Sequence, residues 1–346
     1  MRPPGSRVRE GRLIARTLTP LKLWNALQVY LSYLASRAVR RPIHWGYPIA
    51  LGIEPTTACN LRCPQCPSGL RSFSRPMGNL DVERYTRVID ELHPYLAYLM
   101  LYFQGEPYIH PRFLELVRYA TDRGIFTMTS TNAHFLDDAR ARATVESGLG
   151  RLVISLDGTN QASYEQYRVG GSFQAVLDGT RRLVHWKRQL GSATPFIDLQ
   201  FIVFSHNQHE VHEARLLGRQ LGADRVRIKT AQIYDFEQAP ALIPEAGSHS
   251  RYERVNGQYR IKNRLLNHCW KLWQGAELTW DGRVLPCCFD KDGRYEMGRV
   301  PEQSFAQVWH HSPAYKSFRR QLLHNRKNID ICKNCTEGTR VWGTRA

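Results

Sequence analysis

The sequence predicts an α/β protein with a parallel sheet, followed by a smaller α+β module. Between residues 46 and 232, six short β-rich runs alternate with helical patterns, which is typical of parallel strands covered by helices. The composition changes over Asp235–Gly257, a stretch with two prolines and few apolar residues. A hairpin signal, Asp281-Gly282, then begins the second module.

The composition indicates a globular, metal-binding protein of a reducing compartment. A hydrophobic content of 42% over 346 residues allows one large domain and a smaller module. Eight cysteines are too few for a disulfide scaffold in a chain of this length. Six of them lie in Cys-x-x-Cys or adjacent pairs, which suits metal binding. We therefore expect a cytoplasmic protein, with attachment at the periphery of a membrane as the alternative.

Residues 1–45 are predicted to form a basic, amphipathic helical extension. Within residues 21–38, one helical face carries Leu23, Leu27, Tyr30, Leu31 and Leu34, and the opposite stripe carries Asn25, Gln28 and Ser32. We expect the apolar face to cover the main domain or a partner. Because arginines and Trp24 accompany it, an interfacial membrane helix is the alternative. No run of the sequence is long and apolar enough to span a bilayer.

The strands and helices of the main domain follow in strict alternation. The predicted strands are Pro48–Glu54, Tyr98–Gln104, Ile125–Ser130, Arg151–Leu156, Phe196–Phe204 and Arg225–Thr230. The helical patterns between them include Asp81–Leu92, Arg112–Asp122, Asp137–Ser147, Phe173–Leu190 and Gln208–Leu221. Two further helical patterns occupy residues 304–311 and 313–325. We place the main domain at 46–235, a linker at 236–260 and the second module at 261–346.

A loop directly after the first strand contains three cysteines, Cys59, Cys63 and Cys66. Three thiolates supply one ligand fewer than a four-iron cluster needs, and a metal site with an open position is typical of catalysis. The alternative is a zinc knuckle, in which Cys63 and Cys66 form half of the site. A zinc site needs a fourth ligand nearby, and no further Cys or His occurs before His93. The spacing therefore favours an iron–sulfur cluster.

The run Ile53–Pro67 resembles the signature loop of the radical S-adenosylmethionine (SAM) enzymes, and it is most similar to their SPASM/Twitch branch. The resemblance implies a partial (β/α)6 TIM-like barrel, whose active site gathers at the carboxyl ends of the strands. It also implies a [4Fe–4S] cluster whose vacant iron binds SAM and cleaves it reductively to a 5′-deoxyadenosyl radical. One departure from the family is Gln65, which stands where an aromatic residue is common.

Segments after the second, third and fourth strands, and one further on, resemble the SAM-binding segments of this family. The SAM contacts that this implies are Gly105, Glu106, Pro107, Ser130, Asn132, Ser155, Asp157 and Arg168. Glu106 would meet the amino group of SAM. Arg168 would meet the carboxylate, which a planar guanidinium binds through two hydrogen bonds. Each segment alone is also compatible with a turn or a helix cap, but their order along the chain favours the family interpretation.

The second module carries another set of cysteines. Its pattern resembles the Twitch module, the abbreviated SPASM domain, which implies a second, auxiliary [4Fe–4S] cluster held by Cys269, Cys287, Cys332 and Cys335. A structural zinc ion with the same four ligands is the alternative. Cys288 is left over, and we expect it to pack as a small apolar residue rather than to replace Cys287.

A second cluster favours hydrogen abstraction followed by a two-electron oxidation, because it could accept the remaining electron of the substrate radical. The substrate is predicted to be a small hydroxylated metabolite or a peptide, with a redox-neutral epimerisation or bond formation as the rival. Candidates for the catalytic base or a substrate contact are Asp290 and Lys229. Flavodoxin or ferredoxin is the expected electron donor.

The formal charge of +17 leaves a different class of function open. A basic surface attracts nucleic acid, anionic lipid or an acidic substrate, although it is often no more than a solvated face. A metal-stabilised nucleic-acid-binding protein is therefore the rival from another class. The sequence lacks the aromatic-studded basic strands of single-strand binders. We expect no nucleic-acid partner.

Overall fold

The computed structural model describes residues 6–233, 240–245 and 247–338. Its strands are β1 (Ala50–Ile53), β2 (Tyr98–Met100), β3 (Phe126–Thr131), β4 (Arg151–Ser155), β5 (Phe196–Val203), β6 (Arg225–Thr230), β7 (Tyr252–Val255), β8 (Gln258–Ile261), β9 (Gly275–Leu278), β10 (Arg283–Leu285) and β11 (Gly298–Arg299). Its helices are α1 (Ser6–Ala15), α2 (Pro20–Val39), α3 (Pro67–Leu70), α4 (Val82–Leu92), α5 (Phe113–Asp122), α6 (Asp138–Glu146), α7 (Gln161–Tyr167), α8 (Phe173–Gln189), α9 (Val211–Gln220), α10 (Lys271–Gln274), α11 (Phe305–His311), α12 (Pro313–Asn325) and α13 (Asp330–Lys333).

Nine strands form one sheet, in the order β11-β10-β9-β1-β2-β3-β4-β5-β6. Strands β1 to β6 pair in parallel, which confirms the predicted α/β core. Strand β9 adds to the other side of β1, also in parallel, and β10 and β11 follow as antiparallel strands. The second module therefore extends the sheet of the barrel rather than standing apart from it. Both modules meet beside β1.

The predicted helices of the barrel form where the sequence supplies caps. Asp81, Asp137 and Ser172 each accept a hydrogen bond from a backbone N–H in the first turn of α4, α6 and α8. All four residues of β1 are buried, as expected for a parallel strand inside a sheet that helices cover. Helix α7 was not among the predicted helices. It ends directly before Arg168, one of the residues that we predicted to bind SAM.

The N-terminal extension forms helices α1 and α2. Glu10 of α1 accepts hydrogen bonds from Arg151 of β4 and Arg225 of β6, at the amino ends of these strands. This helix therefore closes the end of the barrel opposite the predicted active site. Among the described residues, no helix is long and apolar enough to cross a membrane.

Helix α2 does not turn its apolar face toward the main domain, which was one of the two coverings that we expected for that face. Its polar and small side packs inward, where Asn25 binds the backbone of Tyr47 and Ser36 binds the backbone of Ile43. Tyr33, also on this side, is fully buried against Trp270 and Trp273. Polar side chains serve here because the chain after α2 presents backbone groups that need hydrogen-bond partners. The leucines that we expected to be covered remain exposed.

The region predicted as a linker, residues 236–260, contains the hairpin β7–β8. The Tyr252 hydroxyl, at the start of β7, bonds both backbone groups of Ile233 and the side chain of Asn334. The hairpin thus ties the end of the barrel to the second module. Residues 236–239 and 246 of the predicted linker lie outside the described residues. The domain boundaries themselves remain predictions.

Candidate active site

The first cysteine loop lies at the carboxyl end of β1 and is anchored to three neighbouring segments. The backbone N–H of Glu106, after β2, donates to the carbonyl of Ala58 at 2.7 Å. The side chain of Asn132, after β3, donates to Asn60 at 2.7 Å. The backbone N–H of Arg62 donates to the backbone carbonyl of Val169, the residue directly after Arg168. The loop is thus positioned by the same segments that we predicted to bind SAM.

Two glycines allow this close packing. Gly105 has a φ of 75°, and a Cβ there would lie 2.3 Å from the carbonyl oxygen of Thr56. A Cβ on Gly69 of α3 would lie 2.5 Å from the backbone nitrogen of Cys63. Any larger residue would push the cysteine loop away from the strand ends. The close approach of the cysteine loop therefore explains why a glycine stands directly before Glu106, which supports its predicted place in the site.

The three thiols border one shared cavity. It is lined by Cys59, Leu61, Cys63, Cys66, Ser68, Gly69, Tyr102, Gly105, Glu106, Ser130, Thr131, Asn132, Ser155 and Arg168. Burial, and the neighbouring Glu106, Cys63 and Cys66, raise the pKa of Cys59 to about 12. Deprotonated thiols are therefore costly here without a positive partner, which an iron–sulfur cluster provides. All three cysteines are free of disulfides, so the donor set fits such a cluster.

Glu106 is the carboxylate of the cavity. It accepts hydrogen bonds from Thr131 Oγ1 and Asn132 N, both at 2.7 Å, and from Tyr108 N at 3.3 Å. Burial nevertheless raises the pKa of Glu106 to about 7, because these bonds compensate only part of the desolvation. A cationic amine in the cavity would restore the ionised form. This matches the role that the family resemblance implies for Glu106.

Arg168 is the cation of the cavity, and Asp157 orients it. The Arg168 guanidinium donates to Asp157 Oδ2 from Nε at 2.6 Å and from Nη2 at 2.5 Å. Nη1 points toward the sulfur of Cys63 at 3.7 Å. Burial opposes ionisation, but the Asp157 carboxylate and the Cys63 thiol outweigh it and raise the pKa of Arg168. Asp157 is in turn fixed by the backbone N–H of Ile202.

Most of the predicted SAM residues come together here. Those that line the cavity are Gly105, Glu106, Ser130, Asn132, Ser155 and Arg168. The other two lie beside it: Asp157 holds Arg168, and Pro107 begins a short 3₁₀ turn that Glu106 caps. Sequence reasoning missed Tyr102 and Ser68, which also line the cavity. Tyr102 follows β2 at the same edge as the predicted residues, which was the available signal.

The four cysteines of the second set also come together. Cys269 interacts electrostatically with Cys287, Cys332 and Cys335, although these residues are far apart in the sequence. Burial, followed by the neighbouring thiols, raises the pKa values of Cys332 and Cys335 to about 11 and about 12. Cys269, Cys332 and Cys335 are buried and Cys287 is partly exposed, and none of the four is in a disulfide, so the set fits a closed four-thiolate cluster.

A buried arginine accompanies this second thiol set. Arg326 is fully buried and donates to the backbone carbonyls of His268 and Glu337. Burial opposes its charge, but the thiols of Cys269, Cys335 and Cys332 raise the pKa of Arg326. A buried guanidinium needs negative partners. An anionic thiolate cluster would supply them.

Four polar side chains interact electrostatically with one another or with residues near the two thiol sites. Lys271 of α10 is paired with Glu337 and interacts with Cys288. Tyr102, in the first cavity, is within electrostatic range of Cys288 and Lys271. Lys229, near the end of β6, interacts electrostatically with the same Glu337. We call Tyr102, Lys229, Lys271 and Glu337 the inter-site cluster.

Lys229 and Asp290, the two candidate bases, have different surroundings. Burial, with a smaller contribution from Arg227, lowers the pKa of Lys229 to about 8. Asp290 instead accepts hydrogen bonds from the backbone N–H groups of Arg294 and Tyr295, so its carboxylate stabilises a turn. We expected Cys288 to pack as a small apolar residue. Its hydrogen bond with Cys287, together with the charge of Lys271, lowers the pKa of Cys288 to about 6, although burial acts in the opposite direction.

Two family models match the chain. The model of the Radical SAM superfamily matches residues 53–185, which hold the first thiol loop and the cavity-lining segments up to Arg168. The model of an iron–sulfur cluster-binding domain, SPASM, matches residues 269–336, which hold all four cysteines of the second set. The two matches follow the division into barrel and second module.

Curated relatives extend this likeness over most of the chain. The cofactor-modifying protein of a tungsten-containing aldehyde ferredoxin oxidoreductase from Pyrococcus furiosus is 25% identical over 78% of this chain and 82% of its own length. A PqqA peptide cyclase from Gluconobacter oxydans is 27% identical over 86% of this chain and 85% of its own length.

Solved structures show the same fold. SuiB from Streptococcus suis, bound to S-adenosylmethionine, superposes with a TM-score of 0.62 and 14% identity, covering 91% of this chain and 78% of SuiB. BtrN in complex with AdoMet and 2-DOIA superposes with a TM-score of 0.51 and 19% identity, covering 84% of this chain and 94% of BtrN. At these identities the likeness concerns the fold alone.

Proposed function

We propose that this chain, which belongs to the radical SAM superfamily and carries a SPASM iron–sulfur domain, oxidises its substrate by two electrons. One observation carries the proposal. In the inter-site cluster, Tyr102 lines the first cavity, and both Tyr102 and Lys271 interact electrostatically with Cys288, the neighbour of Cys287 in the second thiol set. A substrate held there would lie between the site that starts the reaction and a site that could accept an electron.

The chain's own residues would position SAM. Cys59, Cys63 and Cys66 would hold the first [4Fe–4S] cluster, which would supply the electron for the reductive cleavage of SAM. Glu106 receives the amino group of SAM, and Arg168 receives its carboxylate. Asp157 keeps the Arg168 side chain in place, so that one face of the guanidinium is already oriented before SAM binds.

The oxidation is balanced by two acceptors. Reductive cleavage of SAM would allow one hydrogen atom of the substrate to be transferred to the 5′-deoxyadenosyl group, which would leave as 5′-deoxyadenosine. The substrate radical then loses one electron and one proton. We assign the electron to one auxiliary [4Fe–4S] cluster held by Cys269, Cys287, Cys332 and Cys335. We assign the proton to Lys229, because its lowered pKa, about 8, makes the neutral amine accessible near neutral pH.

The relatives support a peptide as one substrate class. The PqqA peptide cyclase of Gluconobacter oxydans is similar over 86% of this chain, and its name describes a peptide substrate. The same name describes a bond-forming reaction, which supports ring closure as an alternative to dehydrogenation. A small hydroxylated metabolite is the other substrate class, and flavodoxin or ferredoxin would supply the first electron.

Product mass tests the proposed oxidation. We would supply the anaerobically reconstituted enzyme with SAM, a reductant and a panel of deuterated peptides and metabolites. The expected result is transfer of deuterium into 5′-deoxyadenosine together with a product two hydrogens lighter than the substrate. A Cys66→Ala variant is the matched control and should give neither. A product of unchanged hydrogen count would contradict the oxidation and favour epimerisation, even if deuterium were transferred.

A further inference from the structure

Helix α2 presents an uninterrupted apolar surface to solvent. We call this surface the leucine face: Leu23, Trp24, Leu27, Leu31 and Leu34, whose side chains are 56%, 57%, 44%, 44% and 37% exposed. Their spacing places them on one side of the helix, along about three turns. Isolated exposed leucines are normal in soluble proteins, but a contiguous apolar stripe indicates a binding surface.

The leucine face cannot turn inward, because the opposite side of α2 is already engaged. Asn25 is 1% exposed and makes two hydrogen bonds with the backbone of Tyr47, at 3.0 and 2.7 Å. Tyr33 is fully buried and bonds His268 at 2.8 Å. Rotation of the helix would break these bonds and bury no equivalent surface. The exposure of the leucines is therefore built into the fold.

Exposed apolar side chains are concentrated in this part of the chain. Of the sixteen large hydrophobic residues that are exposed among the described residues, ten lie between Val8 and Trp45. Outside the leucine face, they include Leu21, Val39 and Trp45. Tryptophan prefers the boundary between an apolar and an aqueous phase, because its ring is apolar and its N–H is polar. Trp24 lies near the start of α2, and Trp45 follows the end of that helix.

Charge indicates which kind of partner fits the leucine face. Arg12, Arg16, Arg37, Arg40 and Arg41 are exposed around it, before, within and after α2. The one acidic residue between positions 1 and 45, Glu10, is occupied by Arg151 and Arg225. A second copy of this chain would bring another +17 charge to the same surface, which opposes self-association. An anionic surface would be attracted instead.

We propose that the leucine face of α2 binds the surface of an anionic lipid bilayer and holds the enzyme there. The leucines and Trp24 enter the boundary between headgroups and acyl chains, while the flanking arginines contact the lipid phosphates. The helix lies along the surface. The mode of binding is that of an amphipathic interfacial helix, in which apolar burial and charge attraction add together.

Vesicle sedimentation tests this with the full-length holoenzyme. Vesicles of phosphatidylcholine containing phosphatidylglycerol should bind the enzyme, and pure phosphatidylcholine vesicles should bind it much less. The double substitution Leu27→Glu and Leu31→Glu should weaken binding on the order of 100-fold, because it puts charge into the apolar contact. Leu216→Glu, at a leucine of α9 with 40% exposure, is the matched control and should bind like the wild type.

A second variant tests the charge contribution. The double substitution Arg40→Glu and Arg41→Glu leaves the leucine face intact. It should weaken binding to anionic vesicles roughly 30-fold in total, because each arginine contributes a factor of less than about ten. Added salt should weaken wild-type binding in the same direction.

Two results would overturn the proposal. One is equal binding of the Leu27/Leu31 variant and the Leu216 variant. The other is a wild-type enzyme that does not bind vesicles and that light scattering shows to be a dimer, while the Leu27/Leu31 variant is a monomer. The second result would assign the face to a second copy of this chain. Unchanged circular dichroism and iron content would establish that the variants are folded in either case.

Discussion

The two thiol sites differ in how the chain builds them and in how open they are. The first takes three cysteines from one loop of eight residues and borders a cavity lined by polar side chains from the ends of β2, β3 and β4. The second takes four cysteines from distant segments, and three of them, Cys269, Cys332 and Cys335, are at most 8% exposed. The difference teaches that one sheet can support a reactive site and an enclosed one beside the same strand.

The neighbouring charges differ in the same sense. At the first site, Arg168 already has a carboxylate partner in Asp157, and Glu106 is left partly neutral, so both can respond to an incoming ligand. At the second site, Arg326 donates to two backbone carbonyls, and the thiols are its negative neighbours among the described residues. The first arrangement suits binding and release of a zwitterion. The second suits storage of charge.

The largest expected effect separates the two sites by their cysteines. Cys63→Ala should abolish formation of 5′-deoxyadenosine, because the open site loses one of its three cluster ligands. Cys332→Ala should leave that cleavage partly intact but block formation of the oxidised product, since the enclosed site would no longer accept the electron. Chromatography of deoxyadenosine and product from the same reactions measures both. Retained SAM cleavage in Cys63→Ala would refute the assignment of the first site.

Iron analysis provides the matching control. The anaerobically reconstituted wild type should contain about eight irons per chain, as two four-iron clusters. Each variant should lose about half of that iron, provided that the two sites assemble independently. Zinc in place of iron at the second site would leave its enclosed geometry unchanged but would remove its role as an electron acceptor.

A smaller effect is expected from the buried arginine of the second site. Arg326→Met removes a positive charge beside the thiols, so the reduced, more negative cluster becomes less stable. Coulomb's law at an effective dielectric constant of about 20 gives a fall in midpoint potential on the order of 100 mV. A redox titration followed by EPR would measure it. Arg320→Met, at an exposed arginine of α12, is the control and should leave the potential unchanged.

The sequence predicted the first site better than the second. The three cysteines, Glu106 and Arg168 are recognisable because each lies within a short segment whose spacing is local. The strand–helix alternation also placed those segments at one edge of the sheet. The pairing of β9 with β1 was not predicted, because the register between distant strands depends on packing that no local pattern records. The approach of Lys271, in the helix directly before β9, to Tyr102 depends on that pairing.

Helix α2 shows where periodicity misleads. The sequence correctly predicted a helix over nearly its whole length, and the leucines do share one side. Of the interpretations of its apolar side, covering of the main domain was wrong, whereas contact with a partner or a membrane surface stays a prediction. Asn25 and Ser36 satisfy backbone groups of the following chain, and the aromatic residues Tyr33, Trp270 and Trp273 supply the apolar contact. Hydrophobic periodicity identifies a helix but does not identify what covers it.

The smallest expected effect concerns pH and belongs to the inter-site cluster. Burial lowers the pKa of Lys229 to about 8, so the neutral amine becomes dominant as the pH rises through that value. If Lys229 accepts the substrate proton, the rate of product formation should rise across the same range, while the rate of SAM cleavage without substrate should not. Lys229→Met should flatten this rise, whereas Lys316→Met, at an exposed lysine of α12, should retain it.

Stability provides an independent measurement of the same pKa. The unfolded chain binds more protons at Lys229 than the folded chain between pH 8 and the usual lysine pKa, so the free energy of unfolding should rise with pH over that range. Lys229→Met should remove this dependence and stabilise the protein near pH 7 by about 2 kcal/mol. A variant that shows the stability change but keeps the wild-type pH–rate profile would establish that Lys229 is buried as described and that another group accepts the proton.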